Sequence, residues 1–464
     1  MTHSGPRHQS PTGTEVTLSP SLAPVNGSAA AVSFDDLPLD VAAHVFSLYL
    51  KQDESSTGAP RSGVFLWLGA TVTPLLLTWV CDAWRRLATS LPRLWAQVCI
   101  HSPSSHQLPL LDLWFQRSRS QPLRITATLH GDSFSNRITM STLLSVYKRW
   151  EAVDLRLRSD VENICSAYWV RGKPELLRVF AIDLGSDWTQ INLIKFSAFM
   201  FSSPRLRGSC WLNAQRQCRS LDRCLWIPVT YLVIEKIDVV RLLDTLRECR
   251  QLEFLQIGSF GNLQALSSSG QPVVTLPNLK SLQLQLHDTA IVADYLTVPK
   301  LVSLTLSTGF FLSAGLGGRN PCDKLLSLLN RSQCRLESFT LGYCRTCQDI
   351  YIDNQIILTI LQWPHFHNIQ NLNISVVVNS PVVQALTVND TTALLPSLRA
   401  ISLGHCNMAL DTVNRMCMSR MGSTKVVDLV DVDLLGPDNR GDNDEVSLGT
   451  VEQHILFSRR LYTQ

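Results

Sequence analysis

One phrase, apolar-x-x-apolar-x-apolar, often preceded by Pro or Cys, recurs along most of this chain. Its clearest copies are RQLEFLQI (250–257), LPNLKSLQLQL (276–286), VPKLVSLTL (298–306), CRLESFTL (334–341), FHNIQNLNI (366–374) and LPSLRAISL (395–403). Their first anchors, Leu252, Leu279, Leu301, Leu336, Ile369 and Leu398, stand 27, 22, 35, 33 and 29 residues apart. More degenerate copies begin at Trp150, Leu177, Leu206 and Val229, with gaps of 27, 29, 23 and 23 leading to Leu252. The Leu206 copy carries Ser209 where an apolar residue is expected. Each copy holds a period-2 stretch long enough for one short strand. Segments of helical composition, such as CDKLLSLLN (322–330), lie between copies. One such unit cannot bury its own leucines, so neighbours must stack and share a continuous core. The two longest gaps require insertions in those turns.

Strand plus helix at this period is the leucine-rich-repeat pattern. It predicts an α/β fold: an N-terminal three-helix unit, then a solenoid of parallel short strands plus helices over residues 150–426. With 464 residues and 45% hydrophobic against 17% charged, the chain can build a large core. The formal charge is 41 − 38 = +3, too small and too evenly spread for a nucleic-acid face.

Residues 1–32, rich in Pro, Ser, Thr and Gly, are expected to form a disordered tail. They lack the apolar core of a secretory signal, and the 13 cysteines are irregularly spaced. Both features point to a reducing compartment, cytoplasmic or nuclear, with thiols rather than disulfides. The sequons at Asn26, Asn330, Asn373 and Asn389 are then chance matches. Val64–Cys81 holds 18 uncharged residues, near the lower limit for a membrane span, but Gly69, Pro74 and three threonines argue against spanning.

Residues 33–101 form a separate unit by composition. FDDLPLDVAAHVFSLYL (34–50) reads as a helix, with Asp36 as N-cap, Pro38 in the first turn and apolar residues at Val41, Val45 and Leu48. After a polar loop (51–63), a second helix is predicted from about Pro74 to Thr89, with Leu76, Val80, Trp84 and Leu87 on one face. A third short apolar element, LPRLWAQVCI (91–100), follows. Three small helices carry more apolar surface than they can bury among themselves, which suggests an interface. Residues 102–149 are read as a linker or first solenoid turn. Residues 427–464 are read as an acidic loop and a helix capping the last repeat.

LPLDVAAHVFSLYL, followed by PLLLTWVCDAWRRLATSLPRLWAQVCI, resembles the F-box motif. The second part, with LLDLWFQRSRSQPLRITATLH (110–130), looks like the F-box-like proteins numerous in mushroom-forming fungi. The Leu-Pro pair, the Val-Cys-x-x-Trp-Arg run and the Pro-x-Leu-Trp ending occur together in order. The resemblance implies a three-helix unit docking a Skp-type adaptor, and through it a cullin–RING ubiquitin ligase. Its adaptor-facing positions would be Leu37, Pro38, Val41, Val45 and Phe46, then Leu76, Val80, Cys81 and Trp84, then Leu94 and Trp95. Asp40 stands where the family commonly has Glu, and the loop between the first two helices is longer than in a minimal F-box. For Trp84 and Trp95 a plain core role is the alternative.

No GxSxG elbow, HExxH or GxxxxGK[ST] occurs, so no enzyme and no cofactor are expected. Cys344-x-x-Cys347 lacks a second pair for zinc, and His365 and His367, i,i+2 on an expected strand, point the same way and do not have finger spacing. Cys344 and Cys406 lie eight residues after Leu336 and Leu398, where a leucine-rich repeat places Asn or Cys inside the turn. Residues alternating with the core leucines face the other side of the sheet. There, Gln256, Gln283, Gln285, Thr305, Thr340, Asn373 and Ser402 are expected to offer a neutral polar surface to a protein substrate, with Gly258, Ser307, Gly342, Ser375 and Gly404 beside them. The same residues read equally as inert strand surface. The expected role is a non-catalytic substrate receptor of a Skp–cullin–F-box ligase. The alternatives are an interaction scaffold without ligase role, and a repeat protein whose first helices merely cap the solenoid. Neither nucleic acid nor membrane is an expected partner.

Overall fold

The structure is a computed structural model that describes residues 37–52, 63–65, 74–130, 133–168, 172–184, 188–212, 228–260, 272–311, 320–342, 352–388, 394–406, 410–421 and 429–434. In chain order the first elements are α1 (Leu39–Gln52), β1 (Gly63–Phe65), α2 (Pro74–Val80), α3 (Asp82–Ser90), β2 (Gln97–His101), α4 (Leu108–Arg117), β3 (Leu123–Thr128), α5 (Ser133–Ser145) and β4 (Trp150–Leu157). Then come α6 (Glu162–Tyr168), β5 (Val179–Leu184), α7 (Gln190–Phe201), β6 (Gly208–Leu212), β7 (Tyr231–Ile234), α8 (Val239–Glu248) and β8 (Phe254–Ile257). The later turns hold β9 (Val274–Thr275), β10 (Ser281–Leu284), β11 (Leu296–Thr297), β12 (Ser303–Ser307), α9 (Pro321–Ser332), β13 (Ser338–Gly342) and α10 (Asn354–Leu361). The last are β14 (Asn371–Ile374), α11 (Ser380–Leu386), β15 (Ala400–Cys406), α12 (Leu410–Met421) and β16 (Leu429–Leu434).

Among the described residues, fourteen strands form one sheet in sequence order, all parallel from β2 onward; β1 joins antiparallel, and β9 and β11 pair apart from it. A parallel neighbour needs a crossover, and here most crossovers are helices packed on one face. The result is a solenoid-like α/β architecture. Its register keeps like positions in rank. Leu255, Leu282, Leu304, Phe339, Leu372 and Ile401 lie side by side, as do Ile257, Leu284, Leu306, Leu341, Ile374 and Leu403. Both ranks are buried in one core that runs from Phe46 to Met416.

All ten anchors of the repeated phrase are buried, each contributing about 1.5–3 kcal/mol by burial. A tight turn precedes several of them. The amide of Leu279 donates to Leu276 at 3.3 Å, Leu301 to Val298 at 3.1 Å, and Leu398 to Leu395 at 3.2 Å. Leu94 donates to Leu91 at 3.1 Å in the same way. LPRL (91–94) is therefore the same phrase as LPNL, VPKL and LPSL, and it opens the first turn of the ladder. The expected third helix is instead a 3-10 turn, Pro92–Trp95, leading into β2. Strands β2 and β3 thus occupy the stretch read as the end of the helical unit and a linker.

Ser209 does sit in the core rank, between Phe180 and Leu232. In the same turns the Trp211 ring lies 5.6 Å from that of Phe180 and 6.2 Å from that of Phe201.

Three further differences have local causes. The helix expected over 74–89 breaks at Cys81, whose backbone is extended (φ −156°, ψ 174°) and whose sulfur caps α3 by accepting from the amide of Trp84. The Arg85 Nε donates to the Thr78 carbonyl at 2.9 Å, satisfying an end of α2. His365 and His367 lie in and after a 3-10 turn, Pro364–Phe366, not on a strand. Strand β16 replaces the start of the expected acidic loop, and the expected capping helix falls outside the described residues, as do the N-terminal tail, Cys344 and Cys347. Among the described residues no helix is long and apolar enough to cross a membrane.

Candidate interaction surfaces

The N-terminal helices show one apolar stripe to the core and another to the outside. Ala42 and Phe46 of α1 point inward, and the Phe46 ring lies 5.0 Å from that of Trp84. Val41, Val45 and Leu48 recur at helical spacing on a separate stripe about 100° round the helix and are exposed, flanked by Tyr49. Leu39 is 61% exposed, and in α2 Trp79 is 70% and Val80 60% exposed. Large apolar side chains left exposed on these helices make them a candidate interaction surface.

The residues expected to face an adaptor divide between surface and interior. Pro38, Val41, Val45, Val80 and Cys81 are exposed, while Leu37, Leu76 and Trp84 are half-buried. Phe46, Leu94 and Trp95 are interior. Leu94 and Trp95 are buried because they open the first ladder turn, where Trp95 meets Trp114 edge-on at 4.9 Å. Leu39, Tyr49 and Trp79 belong to the surface and were not singled out from the sequence, and neither was Leu48 expected to face an adaptor. Leu48 stood in the helical pattern, and an inward stripe at Ala42 and Phe46 would have shown that the Val41 stripe faces away.

The open face of the sheet, opposite the helices, has two halves. In the later half, Gln256, Gln283, Thr305, Thr340, Asn373 and Ser402 form one rank across six adjacent strands, each half-buried. The register therefore brings together six of the seven expected substrate-facing residues, and Gln285 lies one rank on. Ser307 spends its hydroxyl on the Gln285 carbonyl, and Ser375 donates to Asn373 Oδ1 at 3.0 Å. Gly404 is a close approach, since a Cβ there would lie 3.1 Å from the Ser375 Cα.

The earlier half is different. Ala152, Val179, Ala181, Cys210, Leu212, Tyr231, Val233 and Phe254 form a second buried apolar cluster on the open side. Tyr231 and Phe254 stack at 4.0 Å, 6° from parallel. This half was missed in the sequence, though a signal existed. VFAIDL and YLVI are continuous apolar runs, the mark of strands buried on both faces.

Charged groups line this half beyond the apolar cluster. Asp154 is buried, and its Oδ1 meets no hydrogen-bond donor among the described residues. Burial pushes its carboxyl above the ordinary value; Arg156 opposes the shift and Asp183 adds to it. Glu235 is likewise raised, first by burial and then by Asp183. Burial and Arg156 hold His101 low. Burial and then Arg158, whose Nε donates to His130 Nδ1 at 3.0 Å, hold His130 low. No group of three or more His, Cys, Asp or Glu is placed to hold a metal among the described residues.

No family model matches this chain, and no curated protein does. Among solved structures, it is similar to a Bacteroides fragilis protein from a structural-genomics programme, with 15% identity and a TM-score of 0.39 over 61% of this chain and 74% of that one. It is also similar to a chain of the Rad7 and Elc1 complex from yeast, with 14% identity and a TM-score of 0.32 over 81% of this chain and 94% of that one. Neither likeness is close enough to carry a functional conclusion.

Proposed function

We propose that the chain is a substrate receptor of F-box type with leucine-rich repeats. The observation that carries this reading is the outward apolar surface of α1 and α2 on helices whose other side is built into the solenoid core. Val41, Val45, Leu48, Trp79 and Val80 would dock a Skp-type adaptor, bringing a cullin–RING ligase with it. The open face of β8–β15 would hold the protein substrate by hydrogen bonding and shape, because its central rank is polar and uncharged. The receptor itself performs no chemistry. It raises the local concentration of substrate lysines at a bound conjugating enzyme.

The test is binding of the full chain to a purified fungal Skp-type adaptor. Val45→Asp and Trp79→Asp place a charge on exposed positions and leave the core intact, so circular dichroism should be unchanged. Binding by the intact chain and its loss in both variants is the expected result. A folded chain that ignores the adaptor would overturn the reading. Adaptor binding without ubiquitin transfer to any partner would reduce the protein to a scaffold.

A further inference from the structure

The end of the sheet where strands begin carries a cavity of about 360 Å³ between the β3 and β6 turns. Its walls are Pro122, Leu176 and Pro204, and its polar lining is Glu151, Arg178, Arg205 and Arg207. Three arginines, each with an exposed side chain, therefore line one small space. Among the described residues, no acceptor side chain meets any of the three.

The backbone puts two of them in direct apposition. Arg178 precedes β5 and Arg207 precedes β6. The amide of Arg178 donates to the Glu151 carbonyl at 2.8 Å, and that of Arg207 donates to the Arg178 carbonyl at 2.7 Å. Glu151, Arg178 and Arg207 thus follow one another across neighbouring strands, about 4.8 Å apart. Glu151 does not neutralise the arginines, because its carboxylate is bridged by Arg124 Nε at 3.1 Å. Further along the same rank the charges alternate, and Glu253 pairs with Lys280 at 2.8 Å. Like charges directly opposite one another are unfavourable. Here two, with Arg205 beside them, are left without a counter-charge around a concave, proline-walled space.

We infer that this cavity is a binding site for a phosphate monoester. Such a group is close to a dianion at neutral pH and offers three acceptor oxygens. Guanidinium forks match it in charge and geometry. Pro122 and Pro204 restrict the backbone on either side of the space, and Leu176 gives it an apolar side. Neither the adaptor surface nor the open face contributes a residue, so the site stands whether or not the chain binds an adaptor.

The experiment is calorimetric titration of the full chain with acetyl-Gly-phosphoserine-Gly amide, with the same peptide unphosphorylated, and with inorganic pyrophosphate. It is repeated with the Arg178→Gln, Arg207→Gln double variant and with Arg335→Gln, an exposed arginine elsewhere, as control. Circular dichroism checks that each variant folds. The expected result is binding of a phosphorylated probe only, weakened about tenfold for each guanidinium removed and unchanged in the Arg335→Gln control. Tighter binding of the phosphopeptide than of pyrophosphate assigns the site to a phosphorylated residue of a partner protein. Tighter binding of pyrophosphate, a diphosphate of higher charge and no ester, would overturn the monoester assignment. Equal heats from the phosphorylated and plain peptides with none from pyrophosphate, an equal loss in the control, or no binding at all would overturn the proposal.

Discussion

The indole nitrogen of Trp95 donates to the carbonyl of Ala88 at 2.9 Å, tying the last turn of α3 to the entry of the solenoid. Trp114, packed on the same ring, donates in turn to the Gln97 carbonyl at 3.0 Å, and the Arg117 guanidinium lies 4.4 Å above the Trp95 ring. The N-terminal helices are thus the first layer of the ladder's core. The full chain is expected to lose α3 and the early strands together. Trp95→Ala should cost about 3–5 kcal/mol of stability. Denaturant unfolding followed by tryptophan fluorescence and by circular dichroism should give coincident curves. A separate early transition of the helices would show that the two parts fold independently.

A second device recurs at helix ends. Arg149, Arg331 and Arg420 each reach from one turn to backbone carbonyls of another. Arg149 Nε donates to Gln121, Arg331 Nε to Leu296, each at 3.0 Å, and Arg420 Nε to Leu386 at 2.8 Å. Arg420 also serves Leu394 and Leu395, and it is 5% exposed. A lysine has three donors on one point and cannot span carbonyls held by a planar fork. Arg420→Lys is therefore expected to destabilise the protein by about 2 kcal/mol. A thermal scan that places the variant within a degree of the parent would refute this.

The core of the solenoid was legible because period and burial coincide: each anchor from Trp150 to Leu398 is inside. LPRL at 91–94 was legible too, as a fourth Leu/Val-Pro-x-Leu phrase, but it stands next to helices and was assigned to them. The break at Cys81 was not legible, because a cysteine that caps a helix through its sulfur has no propensity signal of its own. On the open face, the neutral rank from Gln256 to Ser402 followed from simple alternation. The buried patch around Cys210 and Val233 did not, since its strands do not alternate. The arginine-lined cavity depends on the register of turns roughly 27–29 residues apart, which no local pattern contains.

Asp154 gives a pH dependence with a defined sign. Its folded carboxyl is held above the ordinary 3.8 chiefly by burial. Above 3.8 the unfolded chain releases this proton more readily than the folded chain, so the folded state binds more protons and its stability falls as pH rises. Asp154→Asn removes that loss and keeps the shape. The variant should melt higher than the parent at pH 7, and the difference should narrow as pH falls toward 3.8. Arg156 and Asp183 act on the group in the parent, and Asp154 in turn raises the Cys99 and Cys210 thiols, which stay protonated in both proteins across this range. A difference that is constant with pH would point to packing, and one that grows on acidification would reverse the assigned sign.

Thiol chemistry separates two cysteines that the sequence could not. Cys81 is exposed at the junction of α2 and α3. Cys99, on the open side of β2, keeps some surface, yet burial and the Asp154 charge push its thiol up to about 12 against the opposing pull of Arg156. Only the thiolate reacts, so at pH 8 Cys99 presents about one reactive form in ten thousand. Cys322 and Cys334, pushed to about 11 by burial, are protected in the same way. Brief treatment with iodoacetamide, followed by peptide mass spectrometry, should modify Cys81 and leave Cys99, Cys322 and Cys334 intact. The added group on Cys81 lies beside Val80 and should weaken adaptor binding, an effect that Cys81→Ser abolishes. Labelling of Cys99 at a rate like that of Cys81 would mean that the β2 edge opens in solution. Full adaptor binding by the Cys81-modified protein would move the docking surface away from the α2–α3 junction and onto α1 alone.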